Sequence, residues 1–298
     1  MKLNSVIETQ DLSKRYGGVE AVVNLNIDVR PQSVTGFLGR NGAGKSSTIK
    51  MLLGMVRPSS GTGRVLGHAI DDPRESLLLR RQVAYVGEDK GLYSYFTVAE
   101  MIRFTRSFYP DWHPEVEQKL RQEYQLPCDR KVKALSKGMR TKLALLLALA
   151  RRPRLLILDE PTEGLDPVSI EELLQTLAGR TADDTTIFFS SHQLSEVERI
   201  ADDILMIDRG RLVMDVSLDE MRERYRRVTL GFNREPQEEE FRLPGVERIR
   251  RSGRQLTVLA SRNSEAVVER ARSLEAVSVD VAPVSLREVF LETVREDQ

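Results

Sequence analysis

Short runs of consecutive apolar residues recur through the first two thirds of the chain, separated by stretches with helical spacing. The runs lie at residues 34–39, 83–86, 155–158, 186–190 and 204–207. A strand that is apolar throughout has both faces covered, as in a parallel sheet between two layers of helices. Strands that alternate with helices are joined by right-handed crossovers, so this part of the chain is predicted to be an α/β domain.

Two regions depart from this alternation. Residues 6–10 and 22–29 are strand-like with no helix between them, which predicts an antiparallel layer at the N-terminal end. At about residues 92–152 the strand-like runs disappear, and Thr97 and Glu100 form a capping box that opens a helix. Proline residues end the helices there. The pattern predicts a helical insert within the α/β domain.

The last part of the chain has an alternation of strands and helices of its own. Strand-like runs occupy residues 228–232 and 255–260, and a helical pattern covers residues 263–273. The sequence therefore predicts two domains, a large one over residues 1–227 and a small α/β domain over residues 228–298.

The charge balance limits the partners that electrostatics alone can support. The chain has 298 residues, with 45 Lys and Arg against 45 Asp and Glu, so its formal net charge is zero. This balance gives no support to a nucleic acid or an anionic membrane as partner. Cys128 is the single cysteine, which excludes an intramolecular disulfide and a cysteine-rich zinc site.

No segment of the sequence has the length and apolar character of a membrane span. The longest apolar run, residues 143–150, is far shorter than the about 20 residues that a span requires. The first ten residues contain no apolar segment typical of a signal peptide. We therefore expect a soluble, cytoplasmic protein that reaches a membrane only through a partner.

A glycine-rich loop follows the first buried strand and precedes an apolar helix. Its sequence, GRNGAGKS, fits the phosphate-loop pattern G-x-x-x-x-G-K-[ST]. Glycines allow backbone N–H groups to converge on an anion, and the positive end of the following helix points at the same place. Lys45 is predicted to reach the β- and γ-phosphates of a nucleotide, and Ser46 to bind Mg²⁺. The predicted nucleotide contacts are Gly39, Arg40, Asn41, Gly42, Ala43, Gly44, Lys45, Ser46 and Ser47.

Two carboxylates follow the buried strand at residues 155–158. Asp159 lies at the carboxyl end of that strand, where ligands bind in open α/β sheets, and is a predicted Mg²⁺ ligand. Glu160 is placed to polarise an attacking water. A strand that ends in Asp-Glu is by itself a common surface feature. About 110 residues after a phosphate loop, however, the pair indicates nucleotide hydrolysis.

A second anion site is predicted at the start of the last helix of the insert. Ser136 is placed to cap this helix, and the backbone amides near Gly138 lie in its first turn. An ordinary serine N-cap would have the same sequence. The segment becomes informative only together with the phosphate loop and the Asp-Glu pair.

These three elements, in this order, resemble the nucleotide-binding subunit of ATP-binding cassette (ABC) transporters, over about residues 1–218. The resemblance implies the cassette form of the P-loop NTPase fold, with ATP and Mg²⁺ as ligands. It implies that Lys45, Glu160 and His192 are catalytic, with His192 contacting the γ-phosphate. Ser136 and Gly138 would contact the ATP held by a second subunit.

The resemblance implies further roles outside these elements. Tyr16 lies where the family stacks an aromatic ring on adenine, and Val22 where an apolar residue backs the base. Asp166 falls in the segment that resembles the D-loop, which communicates across the dimer.

The chain departs from the usual family pattern in two places. Glu88 stands where the family usually has a glutamine, and we expect it to contact the nucleotide and to serve as a metal ligand. Lys137 and Met139 replace a glycine and the glutamine of the usual Leu-Ser-Gly-Gly-Gln signature. Both variants resemble a branch of the family that serves two-part export systems, in which a separate permease chain and a C-terminal extension are common.

The resulting interpretation is an ATP-hydrolysing subunit of an ABC export system that powers a separate integral-membrane permease. Two copies, or one copy and a similar chain, would enclose two ATP molecules on the inner face of the cell membrane. The aromatic segment at residues 92–96 is expected to line the groove that receives a short permease helix. Two alternatives stay open: a soluble ABC ATPase in DNA repair or translation, and a regulatory module that binds ATP without turnover. No nucleic-acid partner is expected.

Overall fold

The computed structural model of the protein describes residues 5–179 and 184–294. The chain divides into two compact units, unit 1 (Met1–Asp215) and unit 2 (Val216–Gln298). The boundary between the units lies at residues 215/216, whereas the predicted domain boundary lies at 227/228. Helix Leu218–Arg224 falls between the two.

Unit 1 alternates strands and helices along most of its length. Its strands are β1 (Ile7–Tyr16), β2 (Val19–Leu25), β3 (Asp28–Val29), β4 (Val34–Leu38), β5 (Ser60–Val65), β6 (His68–Ala69), β7 (Val83–Val86), β8 (Leu155–Asp159), β9 (Thr186–Ser191), β10 (Asp203–Asp208) and β11 (Arg211–Ser217). Its helices are α1 (Lys45–Leu52), α2 (Pro73–Gln82), α3 (Val98–Arg106), α4 (Pro114–Glu123), α5 (Lys137–Leu149), α6 (Pro167–Ala178) and α7 (Leu194–Ile200).

A six-stranded sheet in the order β11-β10-β4-β9-β8-β7 forms the centre of unit 1. From β10 to β7 all neighbouring strands are parallel. Every residue of β4, β8 and β9 is buried, and the rings of Phe37 and Phe188 pack with their centroids 5.3 Å apart. The α/β prediction is confirmed, and the continuous apolar runs are the central strands because these have both faces covered.

The carboxyl ends of three neighbouring strands bring the predicted motifs to one edge of this sheet. β4 ends at Leu38, directly before the glycine-rich loop, β8 ends at Asp159, and β9 ends at Ser191, next to His192. Because β9 lies between β4 and β8, the loop, the Asp-Glu pair and the histidine lie side by side. This edge is where ligands bind in open α/β sheets.

The predicted antiparallel layer is present but larger than expected. A second sheet has the order β2-β1-β5-β6, with β3 paired to β1, and its strands are antiparallel. β5 and β6 follow α1 in the chain and were not predicted, because Gly63 and Val65 are the only buried residues of β5. α1 buries Ile49 and Leu52 in the core that both sheets share.

The predicted helical insert consists of α3, α4 and α5, between β7 and β8. Just beyond the C-terminal end of α5, Arg151 donates through Nη2 to the backbone oxygens of Arg80, Arg81 and Val83 at 3.0–3.2 Å. The ring of Tyr109 lies over the Arg151 guanidinium, 3.7 Å from its carbon. This arginine therefore ties the end of α5 to the junction of α2 and β7.

Unit 2 is a small α/β unit, as predicted. Its elements are α8 (Leu218–Arg224), β12 (Arg226–Gly231), β13 (Val246–Ser252), β14 (Gln255–Ala260), α9 (Ser264–Ser273), β15 (Ser278–Pro283) and α10 (Leu286–Val294). Its sheet is antiparallel in the order β13-β14-β12-β15. Val228 and Leu230 of β12, Leu256 and Val258 of β14 and Val267 of α9 form its core.

Candidate nucleotide-binding and catalytic site

A cavity of about 330 Å³ opens at the carboxyl edge of the central sheet. Ten of the predicted site residues line it: Arg40, Asn41, Gly42, Gly44, Lys45, Ser46, Ser47, Glu88, Glu160 and His192. Ala21 and Glu163, which no sequence motif identifies, also line it. Residues far apart in sequence, from the loops that follow β4, β7, β8 and β9, therefore share one polar cavity.

The glycine-rich loop has the backbone shape that a phosphate requires. Gly42 and Gly44 have φ angles of 81° and 110°, in the region that favours glycine. A Cβ on Gly44 would lie 2.3 Å from the backbone oxygen of Ala21, so no larger residue fits. Helix α1 begins at Lys45, directly after this glycine. The helix N-terminus and its free N–H groups consequently face the cavity.

Lys45 is a buried cation at the base of the loop. Its Nζ donates to the backbone oxygen of Gly39 at 2.7 Å and lies 3.1 Å from Oε1 of Glu160. Both side chains are less than a tenth exposed. The contact with Oε1 lacks hydrogen-bond geometry, and this buried oxygen accepts no hydrogen bond. Lys45 and Glu160 are thus held together in a buried site where a polar ligand atom could hydrogen-bond to either of them.

Asp159 is held in place by two hydroxyl groups. Ser190 Oγ donates to Asp159 Oδ1 at 2.7 Å, and Ser46 Oγ approaches the same oxygen at 3.3 Å. The backbone N–H of Glu160 donates to Ser190 Oγ at 3.0 Å. One serine on β9 therefore aligns the carboxylate and the start of the following turn.

Glu160 combines an unusual backbone with a close histidine. Its φ angle is 48°, in the left-handed region, which costs about 1–3 kcal/mol for a residue other than glycine. Its Oε2 lies 2.9 Å from Nδ1 of His192. A neutral imidazole donates through the nitrogen that faces a carboxylate, so Nδ1 carries the proton and Nε2 is the ring's second polar atom.

Glu88, the departure from the family pattern, lies at the rim of the cavity and is exposed. The carboxylate of Glu163 raises the pKa of Glu88, and Asp159 and Glu160 contribute in the same direction. Lys90, whose pKa burial lowers, interacts electrostatically with Glu163 and Glu88 and with Lys137. Lys90 therefore interacts electrostatically with both departures from the family pattern, Glu88 and Lys137.

Five predicted residues of the same subunit lie outside the cavity lining. Gly39, Ala43 and Asp159 are buried directly behind it, in the loop and at the end of β8. Val22 on β2 is buried. Tyr16 on β1 is 45% exposed, with Lys14 Nζ 5.0 Å from its ring centroid. Stacking of Tyr16 on adenine stays a prediction.

The residues expected to act on a second subunit form a separate group. Ser136 caps α5 by accepting from the backbone N–H of Met139 at 3.2 Å. Asp166 caps α6, and its carboxylate accepts from Ser169 Oγ at 2.6 Å. A Cβ on Gly138 would lie 2.8 Å from that hydroxyl oxygen. The two helix starts are thus in contact with each other, and none of these residues lines the cavity of its own chain.

The described residues contain neither a membrane-spanning helix nor a cluster of metal-binding side chains. Within residues 5–179 and 184–294, no helix is long and apolar enough to cross a membrane. The same residues contain no group of three or more His, Cys, Asp and Glu side chains that could hold a metal ion. A metal at this site would need oxygen ligands from its substrate as well as from the protein.

Similarity to known proteins decides the family. The sequence profile described as "ABC transporter" matches residues 22–163. Over 228 residues the chain is 35% identical to the bacitracin transport ATP-binding protein BcrA of Bacillus licheniformis, which covers 76% of this chain and 74% of that protein. The chain belongs to the ABC transporter ATP-binding proteins.

Two further similarities extend over the cassette and beyond it. The ABC transporter ATP-binding protein YtrB of Bacillus subtilis is 28% identical over 287 residues, 96% of this chain and 97% of that protein. A solved structure titled "Structure of ATP binding subunit of ABC transporter" is 32% identical, with a TM-score of 0.67, and covers 74% of this chain and 92% of that chain. The match to YtrB includes unit 2.

The predicted fold and activity are therefore confirmed. The protein is an ATP-binding, ATP-hydrolysing subunit of an ABC export transporter, and neither of the two alternative functions is favoured. Subunits of this kind dimerise and work with membrane permease subunits.

Proposed function

We propose that Lys45, Glu160 and His192 form the hydrolytic centre of this ABC subunit, next to a Mg²⁺ site made by Ser46 and Asp159. The observation that carries the proposal is the position of Glu160. Its two carboxylate oxygens lie 3.1 Å from Lys45 Nζ and 2.9 Å from His192 Nδ1 at the base of the phosphate loop. A cation, a carboxylate and an imidazole thus meet where the γ-phosphate of ATP would lie.

Binding of ATP would use the loop first. The N–H groups of residues 40–47 and the start of α1 would surround the β- and γ-phosphates. Lys45 would exchange part of its contact with Glu160 for the phosphate oxygens. The Glu160 carboxylate would then be free to orient a water molecule and to accept its proton.

His192 would contact both Glu160 and the γ-phosphate and so fix their relative position. Its Nδ1–H donates to Glu160, and Nε2 would be available to the γ-phosphate. An imidazole that donates through both nitrogens is positively charged. Contacts to both Glu160 and the γ-phosphate would place the ring of His192 beside the charge that develops as the phosphoryl group transfers.

The donor set of the site fits Mg²⁺. A hydroxyl oxygen of Ser46 and a carboxylate oxygen of Asp159 lie 3.3 Å apart, and Mg²⁺ binds one or two such protein oxygens together with substrate phosphates. Glu88 at the rim is a further candidate ligand. When bound, the ion would neutralise charge that develops on the phosphate oxygens.

A second subunit would complete each ATP site. Ser136, Gly138 and Asp166 lie on contacting helix starts outside the cavity of their own chain. This is the arrangement expected if they act on the nucleotide of a partner, head to tail. Tyr16 and Val22 would hold the adenine of the chain's own ATP, and the exposure of Tyr16 leaves its ring free to stack.

An aromatic surface on the insert would receive the permease. Tyr93, Phe96, Phe104 and Phe108 form consecutive ring contacts with centroids 5.1–5.5 Å apart. Tyr93 is 55% exposed and Phe108 63% exposed. Contiguous exposed aromatic rings are typical of protein interaction sites. We place the subunit on the inner face of the cell membrane through this contact, with residues 92–96 at its edge.

The catalytic assignment is tested with Glu160→Gln, which keeps the shape of the side chain and removes the base. We expect kcat for ATP hydrolysis to fall by about 10²–10⁴-fold, the usual contribution of a positioned general base. ATP affinity should be retained, because the loop and Lys45 are unchanged. Glu163→Gln, at another carboxylate of the same cavity, is the matched control and should lose far less. Normal turnover in Glu160→Gln would refute the assignment.

A further inference from the structure

Glu196 is a buried carboxylate that joins the two segments carrying Glu160 and His192. It lies on α7 and is 3% exposed. Its Oε2 accepts hydrogen bonds from Thr162 Oγ1 at 2.8 Å and from Ser191 Oγ at 2.9 Å. Thr162 comes two residues after Glu160, and Ser191 comes directly before His192. One oxygen atom therefore connects both segments from behind the cavity.

Both segments need such an anchor. The left-handed backbone of Glu160 persists only where the surrounding structure holds it. The backbone N–H of Glu160 donates to Ser190 Oγ, which fixes this residue. The hydrogen bond from Thr162 to Glu196 fixes the turn that follows. His192 has a side chain that is 40% exposed, so little packing orients it. The hydrogen bond of Ser191 fixes the backbone from which this ring projects.

Packing alone does not account for a carboxylate at this position. Burial of an acidic group is costly, and an apolar residue of similar size would fill the same space at no such cost. Burial raises the pKa of Glu196. Its second oxygen, Oε1, is buried and accepts no hydrogen bond. The hydrogen bonds of the Glu196 side chain given above are therefore those that Oε2 accepts from the hydroxyl groups of Thr162 and Ser191.

We infer that Glu196 is a positioning residue for ATP hydrolysis: through Thr162 and Ser191 it sets the relative position of Glu160 and His192. Glu196 touches neither the cavity nor the reacting atoms. The inference rests on the proposed roles of Glu160 and His192. It adds a residue that acts on the geometry of the pair rather than on nucleotide binding.

Two variants of Glu196 separate the effect of the shared acceptor oxygen from that of side-chain volume. Glu196→Gln supplies an amide oxygen that can accept both hydrogen bonds, whereas Glu196→Leu has a similar volume and accepts none. We expect kcat of the glutamine variant to stay within about three-fold of wild type. We expect kcat of the leucine variant to fall about 10- to 10²-fold, because displacements near 1 Å have effects of this size. KM for ATP should change less than about two-fold in both, because the phosphate loop is untouched.

A melting curve and circular dichroism of each variant establish that it is folded. If Glu196→Leu does not fold, Thr162→Val removes one of the two donors with little change of shape. It should lower kcat without raising KM. A folded leucine or valine variant with wild-type kcat overturns the inference. So does a glutamine variant that loses as much kcat as the leucine variant, since that would show a requirement for the charge rather than for the two hydrogen bonds.

Glu160→Gln, measured in parallel, separates this inference from the proposed function. If Glu160→Gln is inactive and Glu196→Leu is fully active, the positioning role alone is wrong. If Glu160→Gln turns over ATP normally, the catalytic pair is misassigned, and the inference about Glu196 falls with it.

Discussion

Lys45 and Glu160 contact each other at the base of the phosphate loop, with Nζ 3.1 Å from Oε1 and both side chains buried. Because both groups are buried and have little contact with water, each is the main partner of the other's charge. In the mechanism proposed above, a nucleotide bound in the loop would compete with Glu160 for the same cation. The binding of ATP and the release of the Glu160 carboxylate to act as a base would then be linked through Lys45.

This contact leads to a prediction for Lys45→Ala. Its loss should weaken ATP binding by about 10- to 100-fold, since a hydrogen bond to a charged group contributes about 1.5–3 kcal/mol. The melting temperature should also fall, because Glu160 would be left buried without its cation. A nucleotide titration measures the first effect. Lys50→Ala, at an exposed lysine in the last turn of the same helix, is the control. Unchanged affinity in Lys45→Ala would contradict the phosphate-loop assignment.

Glu88→Gln tests the departure at the cavity rim. At neutral pH the Glu88 carboxylate repels ATP when Mg²⁺ is chelated by EDTA, so the variant should bind metal-free ATP about two- to five-fold more tightly. Glu163 raises the pKa of Glu88, so wild-type Glu88 takes up a proton as the pH falls through that raised value. The advantage of the variant should therefore shrink toward acidic pH. Equilibrium titrations at several pH values measure both effects.

The same variant decides whether Glu88 binds the metal. If Glu88 is a Mg²⁺ ligand, Glu88→Gln should need more Mg²⁺ for half-maximal ATPase activity than wild type. An identical Mg²⁺ requirement would remove Glu88 from the metal site and leave it as a rim charge only.

Phe108→Asp tests the aromatic surface of the insert. Phe108 is 63% exposed, so the variant should fold, and the isolated subunit should keep its ATPase activity because the cavity is untouched. Co-purification with the permease should fall, since a carboxylate in an apolar contact is costly. Val277→Asp, at an exposed apolar residue of unit 2, is the control. Normal recovery of the permease with Phe108→Asp would place the docking surface elsewhere.

A truncation after Ser217 tests the independence of unit 1. The strand β11 ends at this residue, and every residue assigned to the ATP site precedes it. The truncated protein should fold and bind ATP with an affinity near that of the full chain. A monodisperse, folded truncation that binds no nucleotide would show that unit 2 is needed for the site.

The sequence predicted the parts of the site whose chemistry depends on local spacing. The loop at residues 39–46 needs its glycines and its lysine wherever it occurs, and the apolar run before Asp159 identifies a central strand. β5 could not be predicted, because an edge strand with two buried residues lacks the apolar signal. Ala21 and Glu163 reach the cavity only through the folding of distant segments.

Glu196 is the clearest example of a residue whose role could not be predicted from the sequence. An acidic residue in the first turn of a helix is usually an exposed group that interacts with the helix dipole. Nothing in the local sequence distinguishes Glu196 from that case. Its burial follows from the packing of α7 against the strand ends, which depends on the whole of unit 1.

Arg151 gives the insert a fixed point. The three backbone oxygens that it binds belong to the junction of α2 and β7, and β7 leads directly to Glu88. Ser136 lies at the opposite end of α5, about 20 Å away for a helix of 13 residues. A rotation of α5 about Arg151 would therefore move the Ser136 end of the helix furthest. A rotation of about 10° at Arg151 carries the Ser136 end through about 3.5 Å, more than the length of a hydrogen bond. Because residues Leu143–Leu149 of α5 are buried, such a rotation would require the neighbouring core to move with the helix, and it would bring Ser136 to a phosphate or remove it.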